Sequence, residues 1–382
     1  MAFPYVDLVQ SILTDNPGFQ LRSIYSKTDR VRHHSAAFLR LLLERGRRVR
    51  VVVATRPDAP TSLRDRLLVS LVWWWDQLDP PPGMAEARLY APLQWLEQLE
   101  PFVEFLRIPL RCHSLPSFTE SSSPIPGPWG GQGPSRLTSA QTILPSLSSL
   151  SPILQLLKSR HPSLDLQPRK GNWELSYRGF PLVWQEPDCR LRIYPGRLIK
   201  DEKQAHRALE PLMRQVIAER SFPSQSCSAF YTANPERWLE SLVIGNLPSL
   251  VPDATGPVYS QVPTYIDGRR KVLDLLTVDR ENRLLVLELK VEKELGVVFQ
   301  ALDYWRRVCA HLADGELASQ GYFPHHKLQS TAPRVVLVAP LFEFHPVLPI
   351  LRKYLSEQIR FECIGVSSDW RSNFRVLSRF EF

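Results

Sequence analysis

The chain has 382 residues, with 47 Lys plus Arg against 39 Asp plus Glu and a formal net charge of +8. With 43% hydrophobic and 23% charged residues it falls outside the disordered classes and is long enough for two or three domains, each with its own core. The positive balance suits a polyanionic partner without requiring one, and the five dispersed cysteines, Cys112, Cys189, Cys227, Cys309 and Cys363, have no CxxC spacing that would make a zinc knuckle or a disulfide framework.

The start, Met1-Ala-Phe-Pro-Tyr-Val-Asp, has no basic region followed by an apolar run, so no signal peptide is expected, and the most apolar stretch, Leu67 to Trp75, is too short to cross a bilayer. A cytoplasmic protein with no membrane contact is expected. Residues 1–114 read as an N-terminal α/β domain. Ala36 to Glu44 is a Leu-rich helix candidate, Arg50 to Thr55 a buried strand, Arg64 to Gln77 a helix, Leu96 to Leu106 another, and Ile108 to Cys112 a short strand. Residues 115–152 are dense in Ser, Pro and Gly and are expected to be a linker without a packed core. Residues 153–224 connect: Trp173 to Tyr177 and Leu182 to Tyr194 suggest a hairpin, and Ala205 to Arg220 has the spacing of an amphipathic helix.

Residues 225–382 are again α/β. The predicted order is helix (Pro235 to Ile244), strands (Tyr259 to Val262, Val272 to Val278, Leu284 to Lys290), helix (Leu295 to Leu312), strand (Arg334 to Ala339), helix (His345 to Leu355) and strand (Arg360 to Val366). Within it, two β-rich runs flank the polar turn Asp279-Arg280-Glu281-Asn282, which predicts a hairpin with Asp274 roughly opposite Glu288. Glu288 and Lys290 are two apart and share a strand face. Three charges on a sheet of Val and Leu need partners or a metal. Two carboxylates supply the hard oxygens that Mg²⁺ prefers, and a lysine beside them can orient a water and offset phosphate charge. An ordinary hairpin with a structural Asp–Lys pair explains a bare D…ExK equally well. Two further elements favour the chemical reading: Glu240 on the helix before the strands, and Gln300 with Tyr304 four apart on one face of the helix after them.

Glu240, Asp274, Glu288-x-Lys290 and Gln300-xxx-Tyr304, in this order, resemble the PD-(D/E)XK nuclease superfamily, and the QxxxY element is similar to its RecB-type branch. The resemblance covers residues 225–382. It implies a restriction-endonuclease-like αβββαβ core with a mixed central sheet, Mg²⁺ or Mn²⁺ as cofactor, and nucleic acid, DNA first, as partner. It further implies Asp274, Glu288 and the Leu289 backbone carbonyl as metal ligands, Lys290 as the catalytic lysine and Glu240 as an accessory acid. Gln300 and Tyr304 would contact metal-bound water, DNA or the lysine. Leu273 stands before Asp274 where the superfamily commonly has Pro. The rival expectation is a non-catalytic nucleic-acid-binding or regulatory protein on the same scaffold; a homodimer or a protein partner is left open.

Other features carry two readings each. Gln261 is either a surface residue or aimed at the same site; Arg306 and Arg307 either meet phosphates or end a solvated helix; Trp238 and Trp305 read as core, and Asp267, Asp279 and Glu281 as turn residues. His33-His34 and His325-His326 lack i, i+4 spacing, so no zinc site is expected, and no GxxxxGK[ST] occurs. The N-terminal segment also echoes the C-terminal one. R-V-V-V-A-T-R-P aligned on L-V-L-E-L-K-V-E sets Ala54 at Glu288, Arg56 at Lys290 and Ser70 at Gln300, with Ala91 on Ala339 and Cys112 on Cys363. Arg45, Arg47, Arg48 and Arg50, with Arg30 and Arg32, would then offer a phosphate-binding face or a solvated charge run.

Overall fold

Apolar runs too long for a half-exposed strand, such as Val51–Ala54 and Leu284–Leu287, are satisfied only by sheets covered on both faces, and the protein builds two of them. The computed structural model describes residues 5–27, 37–56, 59–60, 63–115, 136–169, 172–186, 188–221, 228–266 and 269–381. Arg30, Arg32, His33, His34, Cys227, Asp267 and most of the Ser/Pro/Gly-rich stretch lie outside them.

The N-terminal unit runs α1 (Val6–Thr14), β1 (Gln20–Tyr25), β2 (Phe38–Arg45), β3 (Arg48–Thr55), α2 (Arg64–Leu78), β4 (Ala85–Ala91), α3 (Leu93–Leu99) and β5 (Leu110–Ser114). The strands lie in chain order, the first three antiparallel and the last two joining in parallel. Helix α1 covers Leu39, Leu41, Leu43, Val52 and Ala54, while Val51, Val53, Ala87 and Leu89 face α2. The expected helix at Ala36 to Glu44 is therefore wrong. Its Leu and Ala favour helix intrinsically, but burial on both faces makes it a strand, tertiary packing overriding propensity.

Beyond the segment 116–135, β6 (Arg136–Leu137) pairs antiparallel with β12 (Tyr259–Ile266), and α4 (Ala140–Ile143) follows. Leu137, Ala140 and Ile143 are buried in the C-terminal core, so residues 136–144 of the expected linker are part of that unit, while Leu150 belongs to the core of the middle unit. Three apolar side chains under a sheet edge are enough to order the first of these stretches. A middle unit comprises α5 (Pro152–Arg160), a five-stranded antiparallel meander of β7 (Asp165–Arg169), β8 (Asn172–Tyr177), β9 (Phe180–Gln185), β10 (Leu191–Ile193) and β11 (Arg197–Ile199), and α6 (Glu202–Ser221). The expected second hairpin strand is thus two strands, β9 and β10, and α5 and α6 close the core over them.

The C-terminal unit runs α7 (Ala229–Thr232), α8 (Pro235–Gly245), α9 (Leu247–Leu250), β12, β13 (Arg269–Val278), β14 (Leu284–Leu289), α10 (Val297–Ala313), α11 (Glu316–Ser319), β15 (Arg334–Pro340), α12 (Leu348–Tyr354), β16 (Phe361–Val366) and β17 (Val376–Glu381). β12 to β14 are antiparallel, and β15 and β16 join in parallel. The order helix, three antiparallel strands, helix, parallel strand, helix, parallel strand thus occurs twice in the chain.

The two units pack against each other reciprocally, the helix after the third strand of each (α2, α10) meeting the helical segment after the fourth strand of the other. Phe102 meets Phe299, Phe105 meets Trp305, and Trp73 meets His345, all edge to face. Between the units Leu106 and Leu355 form an antiparallel bridge. Around it the Arg107 amide donates to the Tyr354 carbonyl (2.6 Å) and the Ser356 amide to the Phe105 carbonyl (2.8 Å). That reciprocal pair marks a local two-fold relation between the units.

Candidate active site

The C-terminal hairpin turns at Asp279, whose side chain accepts from the Glu281 and Arg283 amides, both at 2.9 Å. The register that follows, Leu276 opposite Val286 and Leu275 opposite Leu287, extends to Asp274 opposite Glu288. Asp274, Glu288 and Lys290 therefore share the sheet face that α10 covers, in line with Val286 and Leu284. The Leu289 amide donates to Asp274 Oδ2 at 2.9 Å and holds that carboxylate across the strands. Lys290 Nζ lies 3.1 Å from Glu288 Oε1 and 2.9 Å from Glu294 Oε2.

Gln261 belongs to this site. Pairing of β12 with β13 passes from Ser260–Leu275 to Val262–Leu273, and between them Gln261 adopts a left-handed backbone, φ 54°. Such a conformation costs about 1 kcal/mol or more in a non-glycine residue and is typical of functional positions. Here it lets the Gln261 amide donate to both Asp274 Oδ1 (3.3 Å) and Glu240 Oε2 (3.0 Å). Glu240, 3% exposed on α8, is gripped by Arg169 through two nitrogens at 3.0 and 3.3 Å and accepts from the Ser260 hydroxyl. Arg169 ends β7 of the middle unit, so a second sheet buttresses the site. No sequence motif singles out Arg169 or Ser260; a lone arginine far upstream of its partner leaves no periodic or spacing signal.

Burial is the main electrostatic force here. It pushes the Glu288 carboxyl well above the usual range, with Asp274 adding repulsion and Lys290 opposing. Burial raises Asp274 too, against the Leu289 amide. For Lys290, burial alone would lower the pKa, but Glu288 and Glu294 outweigh it and hold the ammonium charged. Neither oxygen of Glu288, a residue 1% exposed, has a partner in hydrogen-bonding geometry, even with Lys290 close by. Two adjacent carboxylates, one without a hydrogen bond, are a hard all-oxygen donor set that fits Mg²⁺ or Mn²⁺. Gln300 donates to the Tyr304 hydroxyl at 3.0 Å across one turn of α10, and burial raises the Tyr304 phenol, helped by the nearby charges of Glu288 and Asp274.

The remaining basic residues divide. A cleft of about 360 Å³ opens between the two units, lined by Arg64 of α2, by Arg269, Arg270 and Lys271 of β13, and by Gln300, Arg306 and Arg307 of α10. Arg307 is only 3% exposed, bonded to Asp303 (2.9 Å) and to the Arg269 carbonyl (3.0 Å), so it braces the cleft wall from within. Arg306 reaches the same Asp303 at 3.2 Å. Arg45, Arg47 and Arg48 sit exposed at the β2–β3 turn, the opposite end of that strand from Thr55, and none lines the cleft. Arg50 covers the Phe19 ring at 3.9 Å and donates to Asn16. Trp238 and Trp305 are core residues.

The sequence alignment of the two units needs one correction. Ala54 faces α1, whereas Glu288 faces α10, the helix equivalent to α2. The lateral row Glu288–Leu337–Cys363 matches Val53–Leu89–Cys112, and Arg40 pairs with Val53 as Asp274 faces Glu288. Val53 thus stands at the position of Glu288, Thr55 at that of Lys290, and buried Arg40 at that of Asp274; the alignments of Ala91 and Cys112 hold. A one-residue slip reverses every side chain of a strand, and a run of valines cannot reveal it. Tyr25, opposite Arg40, stacks edge to face on Trp74, 4.9 Å between centroids, where the other unit has Gln261 and Tyr304. The N-terminal unit has filled this place with a cation and aromatic rings. No family model and no curated protein matches the chain.

Proposed function

We propose that the protein is a metal-dependent nuclease that hydrolyses phosphodiester bonds, in DNA first, at the site of Asp274, Glu288 and Lys290. The observation that carries this reading is the buried Glu288 carboxylate, beside Asp274, without a hydrogen bond and with Lys290 Nζ 3.1 Å away. The order of these residues with Glu240, Gln300 and Tyr304 resembles the PD-(D/E)XK superfamily, and the αβββαβ arrangement of the unit supports a restriction-endonuclease-like reading.

Asp274 and Glu288, with the Leu289 carbonyl, would hold Mg²⁺ or Mn²⁺. When bound, such a cation lowers the pKa of a water and offsets charge on the scissile phosphate. Lys290 stays charged and offers its remaining N–H donors to the attacking water and the phosphate oxygens. Gln261 couples Glu240 to Asp274 and fixes the Asp274 rotamer. Gln300 and Tyr304 orient polar hydrogens toward the same face. Arg64, Arg270 and Lys271, beside Arg269 paired with Glu97 and Arg306 paired with Asp303, give the neighbouring cleft the net positive lining that suits a phosphate backbone.

The test is incubation of the purified protein with single-stranded, duplex and branched DNA and Mg²⁺ or Mn²⁺. Metal-dependent cleavage lost in Lys290→Ala and Asp274→Asn supports the reading, and cleavage that survives in both overturns it. DNA retention without products, unchanged in Glu288→Ala, favours a non-catalytic binding protein instead.

A further inference from the structure

We propose that His161, His206 and Glu210 form a second metal site, suited to Zn²⁺, which clamps α5 to α6 in the middle unit. His206 and Glu210 are four apart on α6 and share one helical face, beside the buried Ala205 and Leu209. His161 caps the C-terminus of α5 and turns toward that face. One ligand atom from each residue falls in a group whose members all lie within 4.8 Å of one another. His161 Nε2 is 3.9 Å from Glu210 Oε2, too far for a hydrogen bond.

The independent observation lies in the ring nitrogens. His161 Nε2 and His206 Nδ1 are both shielded from water and have no hydrogen-bond partner. Buried polar atoms are nearly always paired, so an orphaned nitrogen on each histidine of one His–His–Glu triad calls for a common occupant. A cation supplies it, taking a lone pair from each ring and one carboxylate oxygen. Two imidazoles and a carboxylate are a borderline donor set that selects Zn²⁺ over Mg²⁺ and leaves a fourth tetrahedral position for water. Ligands on a tetrahedral zinc lie about 3.3 Å apart, given bonds near 2.0–2.1 Å, so small rotamer changes close the triad. The loop bearing His161 is already braced: the Leu164 amide donates to the His161 carbonyl at 3.0 Å, and Lys158 Nζ to the Pro162 carbonyl at 2.8 Å. Two histidines at helical spacing would stand out in a sequence, whereas a His–Glu pair completed by a histidine from another helix does not.

This site shares no residue with the candidate active site and does not depend on it. The experiment uses the full chain carrying Asp274→Asn, stripped with a chelator, titrated with Co²⁺ and then with Zn²⁺. The expected result is one equivalent of Co²⁺ with the strong visible absorption of four-coordinate cobalt, displaced by Zn²⁺, which also raises Tm. His161→Ala and His206→Ala should each weaken binding by about 100-fold or more, beyond what loss of a supporting residue costs, and Glu210→Gln should weaken it with the side-chain shape kept. Unchanged far-UV circular dichroism of the metal-free variants separates ligand loss from misfolding. Absence of a bound equivalent, or an equivalent that persists in the His161→Ala/His206→Ala double variant, overturns the proposal.

Discussion

Replacing Glu288 by Gln probes the candidate active site without requiring turnover. In the metal-free protein the ionised carboxylate is buried and lacks a hydrogen bond, Asp274 repels it, and only Lys290 compensates. The amide keeps the shape and removes the charge, while Lys290 retains Glu294 at 2.9 Å and is not orphaned. An uncompensated buried polar group costs about 1–3 kcal/mol. Allowing for the lost attraction to Lys290, the variant should be more stable by about 1–2 kcal/mol at pH 8 without metal. Because the folded pKa lies above the unfolded one, the penalty is absent at and below the ordinary carboxylate range and develops as pH rises through the raised value. Wild type and variant should therefore coincide near pH 4 and diverge upward, by roughly 2–8 °C in Tm for a cooperative unit of about 150–250 residues. Scanning calorimetry in EDTA across that range measures this, and repeating it with Mn²⁺ should raise Tm of the wild type alone. A variant less stable than wild type at pH 8 in EDTA, or an equal Mn²⁺ response in both, would refute the reasoning.

Four other outcomes follow from the geometry. Since burial raises both Asp274 and Glu288, cation binding must displace protons, and Mn²⁺ affinity measured by calorimetry should fall as pH drops, by up to about tenfold per pH unit for each proton displaced. Arg169→Ala takes the counter-charge from buried Glu240 and leaves it only the Ser260 and Gln261 hydrogen bonds, so denaturant unfolding should register a loss of about 3–5 kcal/mol, with partial recovery in Arg169→Lys. Arg270→Ala with Lys271→Ala should raise KM for DNA, leave kcat nearly unchanged and lower the salt slope of binding by about one for each phosphate no longer neutralised. Gly179, at φ 75° in the β8–β9 turn, lies so close to α8 that a Cβ would fall 2.2 Å from the Arg237 carbonyl oxygen; Gly179→Ala should cost more than about 2 kcal/mol in thermal unfolding, by strain and by parting the middle unit from the helix that carries Glu240.

The sequence made the C-terminal hairpin legible because its turn residues and its alternation of charge and leucine point to the same register. Glu288 and Lys290 could be placed on one face from strand period alone, and Gln300 and Tyr304 from helix period. Residues 38–43 mislead because a doubly buried strand has no alternation and its leucines favour helix. Leu137 and Ile143, two apolar side chains in a polar stretch, gave no hint that they finish a sheet edge. The partners that complete the sites, Arg169 for Glu240 and His161 for His206, come from other elements, where spacing carries no information and only the folded chain brings them together.

The reciprocal amide bonds around Leu106 and Leu355 have a consequence for how such a molecule can change over time. Two separate identical subunits must carry every substitution twice, so an arginine at the place of Asp274 would stand in both. Joined in one polypeptide, the halves mutate independently while the tether keeps them together at any dilution. One half can then carry Arg40 and Val53 where the other carries Asp274 and Glu288, and serve as its scaffold.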